Sequence, residues 1–111
     1  MKVLSRLDEV LLLTVLRLRD NAHGVSIIKD IYKRTGEEIT LGGLWVSLDV
    51  LSRKGFLTKR LADPTPQRGG KSKIYYSITK KGIEALYDVR KMNDALWQGI
   101  VEILDAREQL S

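Results

Sequence analysis

A chain of 111 residues (12.6 kDa) is long enough for one folded domain, and a composition 43% hydrophobic and 30% charged with 2 prolines excludes disordered and collagen-like classes. The absence of cysteine removes disulfides, thiolate nucleophiles and cysteine-based zinc sites, and fits a cytoplasmic protein. The net charge of +5 is uneven: residues 1–39 hold 7 basic and 6 acidic side chains, 40–82 hold 9 and 2, and 83–111 hold 3 and 6. A basic middle third implies a local surface for a polyanion.

Along the chain, Leu7, Val10, Leu11, Leu13, Val15, Leu16 and Leu18 predict a largely buried first helix, started by Ser5 or Asp8. Its apolar run, Val10 to Leu16, is too short to span a membrane. Asp20 to Gly24 reads as a turn. A second helix follows, with Ile27, Ile28, Ile31 and Tyr32 as its apolar face and Gly36 as its C-terminal cap. Thr40 is placed to cap a third helix whose inward stripe is Leu41, Leu44, Trp45, Leu48 and Leu51, ended by Gly55. The opposite face, with Gly43, Val46, Ser47, Val50 and Lys54, is small and nearly uncharged, so it suits close approach to a partner.

Two alternating stretches then predict a hairpin. Phe56 to Ala62 sets Leu57 and Leu61 against Thr58 and Arg60, and Lys73 to Ile78 sets Ile74, Tyr76 and Ile78 against Lys73, Tyr75 and Ser77. Between them, Pro64, Pro66, Gly69 and Gly70 form a long tip that carries Arg68 and Lys71, which makes the hairpin a basic wing. Thr79 opens a last helix expected to run unbroken to about residue 108, roughly 45 Å at the standard rise per residue. Its heptad seam is Leu86, Val89, Asn93, Leu96, Ile100 and Ile103, widened by Tyr87, Trp97, Val101 and Leu104. One small domain does not cover that length, so the distal half is expected to pack on another chain.

Catalytic and metal readings are weak. His23 is the sole histidine and stands in a turn without other ligands at metal spacing, so turn or cap packing is expected of it. The pairs Asp8-Glu9 and Glu37-Glu38 are expected at helix starts, where carboxylates favour the helix dipole. Gly70-Lys71-Ser72 ends like a phosphate-binding loop, but Thr65 stands where that loop needs glycine and a strand follows instead of a helix. No enzyme, cofactor or metal is expected.

Helix, helix, helix, hairpin and helix, with the third helix and the hairpin in the basic third, define a mainly α fold with a small β-hairpin: a winged helix-turn-helix over residues 1–80 followed by a C-terminal dimerisation helix over 81–111. Double-stranded DNA is the partner this implies. Thr40, Gly42, Gly43, Val46 and Ser47 are placed to approach bases or backbone in the groove, and Lys54, Arg68, Lys71 and Lys73 to neutralise phosphates. The start of the third helix offers no Arg, Lys, Asn or Gln for bidentate base contacts, so thymine methyls and groove shape are expected to carry much of the readout. The competing reading is a winged-helix module whose basic face meets an acidic protein and which does not bind DNA specifically.

Several motifs resemble the PadR-like transcriptional regulators across about the whole chain. They are Leu4-Ser5, Gly24 with Ile27-Ile28-Lys29, Leu44-Trp45 with Leu48 and Leu51, Gly55, Pro64-Thr65-Pro66, Arg68-Gly69-Gly70, Tyr75-Tyr76, and Thr79 with Gly82. The chain departs from the family at Trp45-Val46, where tyrosine and proline are usual, and at His23, where tyrosine is frequent. The resemblance is to the short subgroup with one C-terminal helix, and implies a homodimeric repressor of an inverted-repeat operator. It also implies a dimer interface through Leu86, Val89, Asn93, Leu96, Trp97, Ile100, Ile103 and Leu104. In some short members a tryptophan of this helix lines a pore for flat aromatic compounds, so the resemblance makes Trp97, with Asn93, Leu96 and Ile100, a candidate site for a small aromatic effector. The simpler reading of Trp97 is a plain interface anchor, since tryptophan is enriched at interfaces.

Overall fold

The computed structural model describes residues 4–62 and 73–110. Its elements are α1 (Arg6–Leu18), α2 (Gly24–Thr35), α3 (Leu41–Arg53), β1 (Leu57–Leu61), β2 (Ile74–Ile78), α4 (Lys80–Trp97) and α5 (Ile100–Leu110). The three N-terminal helices pack around Leu11, Leu12, Val15, Ile27, Ile31, Leu44, Leu48 and Leu51, and the hairpin closes this core with Leu57 and Tyr76. Each aliphatic side chain fully removed from water there contributes about 1.5–3 kcal/mol. This is the expected winged helix-turn-helix.

Local chemistry sets the helix ends. Ser5 accepts a hydrogen bond from the Asp8 N–H, Thr40 from that of Gly43 and Thr79 from that of Gly82, each meeting a donor that the first helical turn leaves free. Gly36 ends α2 in the left-handed region at φ 75°, with its N–H on the Tyr32 carbonyl. Gly55 turns the chain out of α3 at φ 85°. The segment after α1 is a 3-10 turn over Arg19–Asn21, and there the positive φ falls on Arg19 rather than on the asparagine or glycine of the expected turn. Gly24 is helical instead: a Cβ on it would stand 3.1 Å from Leu41 Cδ1, so its smallness lets α3 approach α2.

β1 and β2 pair antiparallel from Leu57 opposite Ile78 to Leu61 opposite Ile74. The Tyr76 N–H donates to the Ala22 carbonyl at 2.8 Å, and His23 bridges to Tyr75, which ties the hairpin to the entrance of α2.

Six expectations require correction. The first helix is not largely buried: Leu13 and Leu16 fall on the side away from Leu11, Leu12 and Val15, and Leu7 in the first turn is exposed as well. Glu37 and Glu38 lie in the link between α2 and α3, not at a helix start, because Thr40 is the cap and Leu41 the first residue of α3. Tyr32 is exposed, because Ile27 and Ile31, four residues apart, take the buried line and Tyr32 lies about 100° round the helix. Leu41, at the first position of α3, packs at the edge of the core over Gly24 and stays half-exposed. Leu61 is exposed because β1 runs past the helices, so its alternation continues where nothing covers it. Lastly, the C-terminal helix is not one helix. It stops at Trp97, Gln98 is extended and Gly99 takes φ 79°, a conformation that leaves the α-helix and that glycine adopts without a Cβ clash.

α4 nevertheless projects far from the core. The molecule measures 62 × 29 × 21 Å with a radius of gyration of 17.5 Å, against about 13 Å for a compact chain of this length.

Candidate nucleic-acid interface

α3 is held from behind by Leu44, Leu48 and Leu51, which fixes what it shows to the outside. At 3.6 residues per turn, Gly42, Val46, Asp49 and Arg53 fall within about 60° of one another on the free side. Gly42 has open space around it and Val46 is 66% exposed. Gly43 lies exposed beside them, while Ser47 and Val50 on the flank are half-buried. Thr40 is exposed, but its hydroxyl is engaged as the cap of α3.

Cations surround this face. Arg53 and Lys54 close α3, and Lys59 and Arg60 are exposed on β1. Arg60 lies 4.9 Å from the centre of the Tyr75 ring, and His23 meets the same ring edge-on at 5.4 Å, so Tyr75 is a platform between them. Burial, then the charges of Lys73 and Lys29, hold the His23 imidazole below its usual pKa. His23 is therefore a packing and cap residue, its backbone N–H bound to Ser26 Oγ at 3.0 Å. Lys73 is half-buried at the start of β2. The expected phosphate contacts Arg68 and Lys71, with the rest of the hairpin tip, lie outside the described residues.

Asp49, Arg53, Lys59 and Arg60 were not among the expected contacts. Asp49 is the one carboxylate between residues 40 and 62, and it pairs with Arg53 at 3.1 Å and Lys59 at 3.6 Å. The four-residue spacing of Asp49 and Arg53 was a visible signal. The pairing to Lys59 depends on how the hairpin folds back on α3 and was not.

Of the expected interface residues, Leu86 packs partly on the core and Val89 is half-buried, so the start of the seam belongs to the chain's own domain. Beyond it the apolar side chains are bare: Leu96, Trp97, Ile100, Val101, Ile103 and Leu104 are all exposed, as is Asn93. The break at Gln98–Gly99 separates Leu96 and Trp97 on α4 from Ile100 and Ile103 on α5, so the heptad seam does not continue in phase. Among the described residues no helix is long and apolar enough to cross a membrane, and no group of three or more His, Asp or Glu is placed to hold a metal ion.

A helix with a small, bare outer side, framed by cations and flanked by a two-stranded wing, defines a winged-helix DNA-binding protein. The sequence model of the PadR-like transcriptional regulator family matches residues 12–88, and the chain belongs to that family of DNA-binding, non-enzymatic transcription regulators. Among solved structures it is similar to a PadR-like transcription factor from Bacteroides fragilis at 22% identity and TM-score 0.73, over 87% of this chain and 88% of that one. A PadR family regulator from Eggerthella lenta DSM 2243 matches at 24% identity and TM-score 0.69, over 89% and 84%. One from Clostridium difficile R20291 matches at 21% and 0.62, over 89% and 95%. No curated protein matches the sequence.

Proposed function

We propose that this chain is a homodimeric transcriptional repressor that binds an inverted-repeat operator through α3 and the hairpin. Residues 1–80 are the DNA-binding part and 81–111 the dimerisation part. Thr40, Gly42, Gly43, Val46 and Ser47 lie against the groove, while Lys54, Arg68, Lys71 and Lys73 neutralise phosphates. The observation that carries the dimer is the bare apolar surface of α4 and α5, where Trp97 is 50%, Ile103 64% and Leu104 48% exposed. Contiguous apolar surface of this kind is an association site in soluble proteins. A two-fold pair of chains would set two α3 helices on half-sites about 34–36 Å apart. The Trp97 ring, with Leu96, Asn93 and Ile100, would then offer a flat aromatic effector a site within that interface.

The test is anisotropy of a labelled random-sequence duplex at several salt concentrations, with the protein's mass measured in parallel. Binding that weakens steeply with salt, from a species of twice the chain mass, is expected. A monomer without affinity for DNA at low salt would instead favour a protein-interaction module.

A further inference from the structure

Asp49 is the one acidic side chain of α3, and it stands at the edge of the exposed side that is nearest the hairpin. A carboxylate facing DNA is repelled by phosphates, so it does not belong over the backbone. Asp49 stands in line with Gly42, Val46 and Arg53, half-exposed at 47% of its side chain. Two cations reach it: Arg53, one turn further along α3, and Lys59 on β1. Arg53 shares the exposed side of α3 with Asp49, and Lys59 approaches from the hairpin.

The carboxylate is also held for use. Arg53 Nη2 approaches Oδ2 at 3.1 Å and Lys59 Nζ approaches Oδ1 at 3.6 Å. An ionised carboxylate has about four lone-pair sites, so one cation on each oxygen leaves acceptor capacity on this half-exposed side chain. Among the bases, cytosine presents an N4 amino donor in the major groove for which Asp and Glu are the matching acceptors. Gly42 and Val46, without bulk or charge, let the helix descend far enough for a short side chain to reach the floor.

We propose that Asp49, positioned by Arg53 and Lys59, accepts a hydrogen bond from the N4 amino group of a cytosine and so selects one guanine·cytosine pair in each operator half-site. The proposal rests on the DNA-binding reading above. It gives the groove face a polar base-reading residue that the start of α3 lacks.

The experiment selects binding sites from a random duplex library with the full-length wild type, Asp49→Ala and Asp49→Asn in parallel, and measures each protein's affinity for unselected duplex at low salt. Wild type is expected to select cytosine at one position per half-site, with roughly tenfold or greater discrimination. Asp49→Ala should lose that preference while binding unselected duplex more tightly, since a charge that repels phosphate is gone. Asp49→Asn should move the preference from cytosine toward adenine, the base whose N6 and N7 an amide matches, a change that a merely structural role would not produce. Retention of the same cytosine by both variants would overturn the proposal while leaving DNA binding intact. Failure of the wild type to bind any duplex at low salt would remove both.

Discussion

Gly82 brings the first turn of α4 onto the backbone of Phe56: a Cβ there would stand 2.5 Å from the Phe56 carbonyl oxygen and 2.7 Å from Ile78 Cγ1. Even alanine does not fit. Gly82→Ala should therefore destabilise the fold by about 1–3 kcal/mol or more, as overpacking does. Urea unfolding monitored by far-UV circular dichroism checks this, and a midpoint equal to wild type would mean that α4 shifts freely against the hairpin.

The same junction is held by Thr79, whose hydroxyl donates to the Gly55 carbonyl at 2.6 Å and accepts from the Gly82 N–H at 3.1 Å. Thr79→Ala should cost about 0.5–2 kcal/mol, the ordinary range for a lost N-cap. Thr79→Ser, which keeps both bonds, should recover most of it in the same denaturation assay.

Lys54 and Arg60 carry cationic groups at two edges of the groove-facing surface, on α3's end and on β1. Lys54→Ala and Arg60→Ala should each weaken binding to all duplexes alike and reduce the slope of log affinity against log salt by about one. Titrations at four salt concentrations would show it. A loss confined to one sequence would assign the residue to base reading instead.

His23 links stability to pH. Its folded-state pKa lies below the usual 6.5, through burial and then the charges of Lys73 and Lys29. The neutral ring is thus the form the fold prefers, so the stabilisation is complete above 6.5 and is lost as pH falls through the depressed value. Asp30 acts lower: burial pushes its carboxyl up, but Arg17 and Arg34 outweigh this and hold it below 3.8, so its contribution persists until pH falls through that lower range. Between about pH 7.5 and pH 5 the wild-type Tm should fall more than that of His23→Gln. Parallel curves would mean that the ring titrates alike in the folded and unfolded chains.

Gly99 decides the relation of α4 to α5. Its φ of 79° disfavours a side chain by about 1 kcal/mol or more, so Gly99→Ala should close the break and raise the helical ellipticity at 222 nm. An unchanged spectrum with a lower Tm would show that the break is held by other contacts.

Much of this protein was legible in local chemistry. Thr40 and Thr79 as caps, Gly36 and Gly55 as helix ends, the buried stripe Leu44, Leu48 and Leu51, and the alternation of Ile74, Tyr76 and Ile78 all appear where spacing places them. Each depends on interactions within a few residues or on one amphipathic period, and such interactions are written in the order of the side chains. Gly99 shows the limit of that approach: a single glycine inside an apolar heptad is tolerated or breaks the helix according to its surroundings, and the period ran through it.

What only the tertiary structure decided is which surfaces meet. Leu41 and Leu61 carry an apolar pattern but lie at the rim of a core too small to cover them. Gly24 serves as a contact for Leu41, not as a turn. Asp49 joins Lys59, ten residues away, because the hairpin folds back along α3. Periodicity states which side of an element is apolar; whether that side is covered, and which charges face each other across it, depends on contacts between residues distant in sequence.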